Sequence, residues 1–77
     1  MTLTRLEFGR ELCEQLDIGY DPVRIAKWAY RMYLDAPGFA AGLEPEIFKV
    51  VAMEQGPEFV MSEAELRTLA ATLQTSQ

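Results

Sequence analysis

Apolar residues recur at helical spacing in four separate runs, and each run is bounded by residues that start or stop helices. In the first, Leu6, Phe8, Leu12, Cys13 and Leu16 fall on one face at about 100° per residue, with Glu7, Glu11 and Glu14 opposite. Thr4 and Glu7 have the spacing of a capping box, in which each side chain satisfies the other residue's free N–H. Leu3 and Phe8 are spaced as a hydrophobic staple around that start. Gly19 is expected to end the helix in the left-handed conformation, which only glycine adopts cheaply. The pattern predicts a helix over about 4–18.

Asp21-Pro22 opens the second run, with Asp as a favourable N-cap and Pro preorganised for the first helical position. Val23, Ile25, Ala26, Trp28, Ala29, Tyr30, Met32 and Tyr33 cover roughly two thirds of the helix circumference, leaving Arg24, Lys27 and Arg31 as a polar stripe. A helix so apolar, predicted over about 22–35, is either central or touches a partner on a second face. Pro37-Gly38 signals a turn in the long connection that follows, and Phe39 and Leu43 are its expected core anchors. The third helix is expected over about 45–55, from Pro45 to the Gly56-Pro57 stop, with Ile47, Phe48, Val50, Val51 and Ala52 on its apolar face. Residues 58–61 are expected to be extended. Ser62 and Glu65 form a second capping box, with Met61 and Leu66 as its staple, and open a fourth helix over about 63–74. Its narrow stripe of Leu66, Leu69, Ala70 and Leu73 suits an outer position, and residues 74–77 are expected to fray. The fold expected is all-α, a bundle of four short helices forming one domain over 1–77.

Composition narrows the chemistry more than it names a function. The chain has 77 residues, of which 49% are hydrophobic, so it belongs with globular sequences and has room for one domain. It contains no histidine and a single cysteine, Cys13. An internal disulfide, a His-activated nucleophile and a structural zinc site of about four Cys or His ligands are therefore excluded. No catalytic set, metal site or cofactor is predicted. Free cysteine on an apolar face acts as a small hydrophobe, so Cys13 is expected to pack. No run approaches the about 18 apolar residues of a membrane span, and the first residues lack a signal-peptide core. The expected location is the cytoplasm.

Seven basic against twelve acidic residues give a net charge of −5. Residues 22–34 hold three cations and no acid, so the rest of the chain carries four cations and all twelve acids. The Arg24, Lys27 and Arg31 stripe follows a helix-turn-helix-like junction through Asp17-Ile18-Gly19-Tyr20, the position of a DNA-reading helix. The acidic surroundings repel phosphate, so nucleic acid is the weaker alternative, and ion pairing with Glu7, Glu11 and Glu14 or with Asp35 is expected for the stripe. Glu54 is the unusual acid, since helical rotation sets it between Ile47 and Val50 on the apolar side, where a carboxylate must reach water or a cation.

Two families share the bulk features. Acyl carrier proteins are acidic helical bundles of this size, but their attachment serine has no counterpart at Asp21-Pro22-Val23. Colicin-type immunity proteins share size, charge and class alone. A more local resemblance runs from Ala26-Lys27-Trp28-Ala29-Tyr30 through Ala52-Met53-Glu54-Gln55-Gly56-Pro57-Glu58-Phe59 to the Ser62 cap. Over about residues 20–73 the chain resembles small uncharacterised bacterial proteins, some of which look like immunity proteins of toxin loci. This resemblance transfers no functional residue.

Three functional classes follow from the residues. One is a non-enzymatic acidic protein that occludes a basic partner through Glu54, Glu58 and Phe59, with the Glu7, Glu11 and Glu14 ridge as the second surface. Another is a ligand-free homodimer built on the apolar girth of the second helix. The third is a ligand carrier or enzyme that uses Glu54 with Trp28, Tyr30, Tyr33 and Phe48.

Overall fold

Residues 2–75 are described in a computed structural model. Four α-helices are present among them: α1 (Arg5–Ile18), α2 (Pro22–Asp35), α3 (Leu43–Val51) and α4 (Glu63–Thr75). No strand is present among these residues, only an isolated parallel bridge between Leu3 and Phe39. The fold is all-α, and its core draws on every helix: Phe8, Leu12 and Leu16 from α1, Ile25 and Ala29 from α2, Ile47 and Val50 from α3, Leu66 and Leu73 from α4. The radius of gyration is 11.3 Å.

Both capping boxes form. Thr4 Oγ1 accepts from the Glu7 N–H at 3.1 Å while the Thr4 N–H donates to Glu7 Oε1 at 3.0 Å. Ser62 and Glu65 repeat the exchange at 3.1 and 2.8 Å. Asp21 caps α2 through the Arg24 N–H. These local exchanges explain why three of the helix starts agree with the sequence pattern, since each cap needs only residues within one turn.

The third helix differs from its expectation. It begins at Leu43, behind Gly42 in the left-handed conformation (φ 79°), and its α-form ends at Val51. A 3₁₀ turn over Ala52–Glu54 follows, then a second over Pro57–Phe59 where extended chain was expected. The tighter turn inserts Met53 into the core and leaves Glu54 exposed, so Glu54 is not on the apolar side. Leu43 is fully buried and Phe39 packs against the core, as the connection's anchors. Gln74 and Thr75 remain helical, and Ser76 and Gln77 lie outside the described residues.

The two principal layers are α1 against α4 and α2 against α3. Tyr20 donates its hydroxyl to the Met61 carbonyl, Arg67 pairs with Asp17 at 3.1 Å, and Gly9 meets Ala70 and Leu73, so α1 and α4 run antiparallel. Leu6, expected on the buried face, is exposed, and so is Phe48. Trp28 is half-buried and lies on Phe8, with ring centroids 5.1 Å apart. Cys13 is half-buried beside Gln74, whose side-chain amide approaches its sulfur at 3.4 Å.

Candidate partner-binding surfaces

The acids of α1 do not form one free ridge. Glu7 is occupied at the helix start, where the Thr4 backbone N–H and then the Thr4 hydroxyl hold its carboxyl below the ordinary glutamate range, helped by Arg10. Glu11 and Glu14 remain, half-buried and exposed respectively.

The basic stripe of α2 is also divided, and the expected pairing with acids is absent among the described residues. Arg24 turns back onto the end of α1, where its guanidinium donates to the Gln15 side chain, to the Gln15 carbonyl at 2.8 Å and to the Gly19 carbonyl at 2.7 Å. Helix ends leave carbonyls without intrahelical partners, and Arg24 supplies donors to two carbonyls there. Gly19 ends the helix at a positive φ of 156° that favours glycine, as expected, but with ψ 143° it lies outside the αL form. A helix-reading role in which Arg24 contacts phosphate loses its first cation to this cap. Lys27 and Arg31 are exposed, and neither makes an ion pair among the described residues.

The aromatic residues separate into two groups. Tyr33 stacks on Phe39 (5.1 Å) and touches Phe48 (4.9 Å), while its hydroxyl donates to Glu44 at 3.3 Å. Burial, and then the Glu44 charge, raise the Tyr33 pKa, so the phenol keeps its proton at neutral pH. Trp28 belongs with Phe8 instead, so Trp28, Tyr30, Tyr33 and Phe48 do not frame one ligand pocket.

Glu54, Glu58 and Phe59 are all exposed on the two successive 3₁₀ turns. Phe59 is 52% exposed and is not a core residue. Neither carboxylate has an ion-pair partner among the described residues. Glu54 also closes a hollow of about 490 Å³ with Lys27, Tyr30, Arg31, Leu34 and Asp35. A second hollow, about 480 Å³, lies on the α1 flank of Lys27 and Arg31 and is walled by Gln15, Asp21, Val23 and Trp28. Glu7, Glu11 and Glu14 line neither.

Sequence reasoning marked the apolar girth of α2 as a possible contact surface but not which side of it is open. Val23, Tyr30 and Leu34 are 49%, 49% and 61% exposed there, with Lys27 and Arg31 among them. The signal was available, because positions 23, 27, 30 and 34 advance by four, three and four residues and so share one side of a helix.

No helix among the described residues is long and apolar enough to cross a membrane. No family model matches the chain, and no curated protein or solved structure is significantly similar to it.

Proposed function

We propose that this is a non-enzymatic, protein-binding protein of a bacterial cytoplasm, an inhibitor or immunity-type molecule that occludes a basic partner. The observation that carries this reading is the pairing of a half-exposed aromatic with unpaired acids on the Glu54–Phe59 turns. A large ring at the centre of a contact supplies area when it is desolvated, and carboxylates around it steer a basic surface and set its orientation. Pro57 fixes one backbone angle of the second turn, so little chain entropy is lost on binding. Glu11 and Glu14 are the secondary acidic surface.

The test is capture from the native host's lysate at low and at high salt, with the retained protein identified by mass spectrometry. A basic protein held at low salt and released at high salt is expected, because exposed charge pairs are screened. The combination Glu54→Lys, Glu58→Lys and Phe59→Ala should weaken that capture by about tenfold or more, with the thermal melt unchanged. Failure to retain any basic protein removes the proposal. Capture that survives these changes but fails on reversal of Glu11 and Glu14 moves the site to α1.

A further inference from the structure

We infer that the hollow between α2 and the α1 flank is a binding site for a small planar anion, an aromatic ring carrying a carboxylate or phosphate group. The inference goes beyond the protein-binding reading and shares no residue with the Glu54–Phe59 turns, so either can fail alone. The chain carries a net charge of −5, yet this hollow is bordered by Arg24, Lys27 and Arg31 against a single acid, Asp21. Positions 24, 27 and 31 advance by three and four residues, so these cations share one side of α2, and Trp28 stands about one turn from both arginines. Asp21 is occupied at the helix start, where its carboxylate accepts the Arg24 N–H at 3.2 Å. Asp35 and Glu54 line the neighbouring hollow with Lys27 and Arg31, but no ion pair among the described residues neutralises any of the three cations.

Two parts of the wall are fixed before any ligand arrives. Trp28 stacks on the fully buried Phe8 with centroids 5.1 Å apart and an interplanar angle of 17°, so one face of its ring is covered and the open part borders the hollow. Arg24 is half-buried and held by the Gln15 side chain and by the Gln15 and Gly19 carbonyls. Side chains already ordered lose little entropy when a ligand meets them. Lys27 and Arg31 are exposed, and each can turn onto a bound anion.

The chemistry of this wall selects the occupant. The volume of about 480 Å³ falls within the range of about 300–1,000 Å³ typical of small-molecule sites. A neutral apolar ligand would take water from the cations without giving them an acceptor. A bare inorganic anion would leave Trp28 and Val23 uncovered. A polyanion would run past the hollow onto a surface with more acids than bases, where each further phosphate is repelled. A ring with one anionic group meets both demands. The ring packs on Trp28 and Val23, and the anionic oxygens accept from Lys27 and from the planar fork of Arg31, which matches carboxylate and phosphate alike.

Trp28 is the only tryptophan of the chain, so its indole N–H gives a single NMR resonance that reports on the hollow. Titration of the full chain with naphthoate and, separately, with adenosine monophosphate should shift that resonance saturably for at least one of them, with a Kd of about 1 mM or below. The tighter of the two names the anionic group, an aryl carboxylate or a nucleotide phosphate. Naphthylmethanol, which keeps the ring, and inorganic phosphate, which keeps the charge, should each bind at least about tenfold more weakly. Lys27→Gln combined with Arg31→Gln should weaken binding of the tighter anion by about tenfold with an unchanged circular-dichroism spectrum, whereas Lys49→Gln, outside the hollow, should leave it unaltered. No saturable shift with either ring-bearing anion overturns the inference. Equal binding of the neutral alcohol or of phosphate alone overturns it too, because the wall is argued to need ring and charge together. Binding that survives the loss of both Lys27 and Arg31, or that falls equally in Lys49→Gln, also overturns it.

Discussion

Gly9 sets how closely α1 and α4 approach. A Cβ built there would lie 2.8 Å from the Ala70 carbonyl oxygen and 3.0 Å from the Leu73 Cβ, so two backbones would have to separate. Alanine gains about 1 kcal/mol in helix propensity over glycine, whereas overfilling a packed contact costs about 1–3 kcal/mol. Gly9→Ala should therefore lower stability by about 1 kcal/mol in chemical denaturation, although alanine is the better helix former. Gly38→Ala is the control: its nearest neighbour would be Thr2 Oγ1 at 3.8 Å and its φ lies outside the left-handed region, so it should be neutral or slightly stabilising. The hydrophobic pattern held no trace of this contact, because a glycine inside a helix shows no preference for a face until a second helix is laid on it. Leu6 and Phe48 illustrate the same limit. Rotation put both on apolar faces, but only the position of the neighbouring helix decides how wide the covered face is, and both fall outside it.

Helix boundaries were legible wherever a local device sets them and obscure where a distant group does. The boxes at Thr4 and Ser62 and the Asp21-Pro22 start are complete within four residues, and the helices begin there. The end of α1 depends instead on Arg24, five residues beyond Gly19 and on the next helix. The planar fork reaches both backbone carbonyls and the Gln15 amide oxygen at once, a geometry lysine cannot reproduce. Arg24→Lys should keep the charge yet lose about 1–2 kcal/mol of stability, measured by urea denaturation. Loss equal to that of Arg24→Ala would show that the fork, and not the positive charge, holds the junction; full stability in both variants would remove the capping role. The break after Val51 has a similar origin. Continuing as α-helix would keep Glu54 on the apolar side, whereas the 3₁₀ turn exposes it and buries Met53, and that exchange depends on the core supplied by the other helices.

At the scale of the whole molecule, the chain's first and last helices close on each other. The four helices and their order could be read from periodicity, but which pairs touch could not, because amphipathic faces carry no address. The candidate surfaces were legible to the same extent: Glu54, Glu58 and Phe59 stood out by composition and are exposed, and the apolar girth of α2 stood out too, but its open side is defined only once α1 and α3 are seen to cover the others. The α1–α4 pairing also governs folding. It joins residues more than forty positions apart, as in the Tyr20–Met61 hydrogen bond, and it covers the Gly9 and Leu12 side of α1. A chain of this size has a total stability of only several kcal/mol, and exposing Leu12 and Leu16 while losing Leu66 and Leu73 removes more than that at about 1.5–3 kcal/mol per buried side chain. A chain ending at Ser62 should therefore lose its cooperative melt and most of its circular-dichroism helix signal, not merely the share contributed by α4. Supplying residues 62–77 as a separate peptide should restore the signal in a concentration-dependent way if the α1–α4 contact is the missing element. A truncated chain that still melts cooperatively would show that α1, α2 and α3 form a self-sufficient core, and the closure of the first helix on the last would then be an addition to the fold and not its condition.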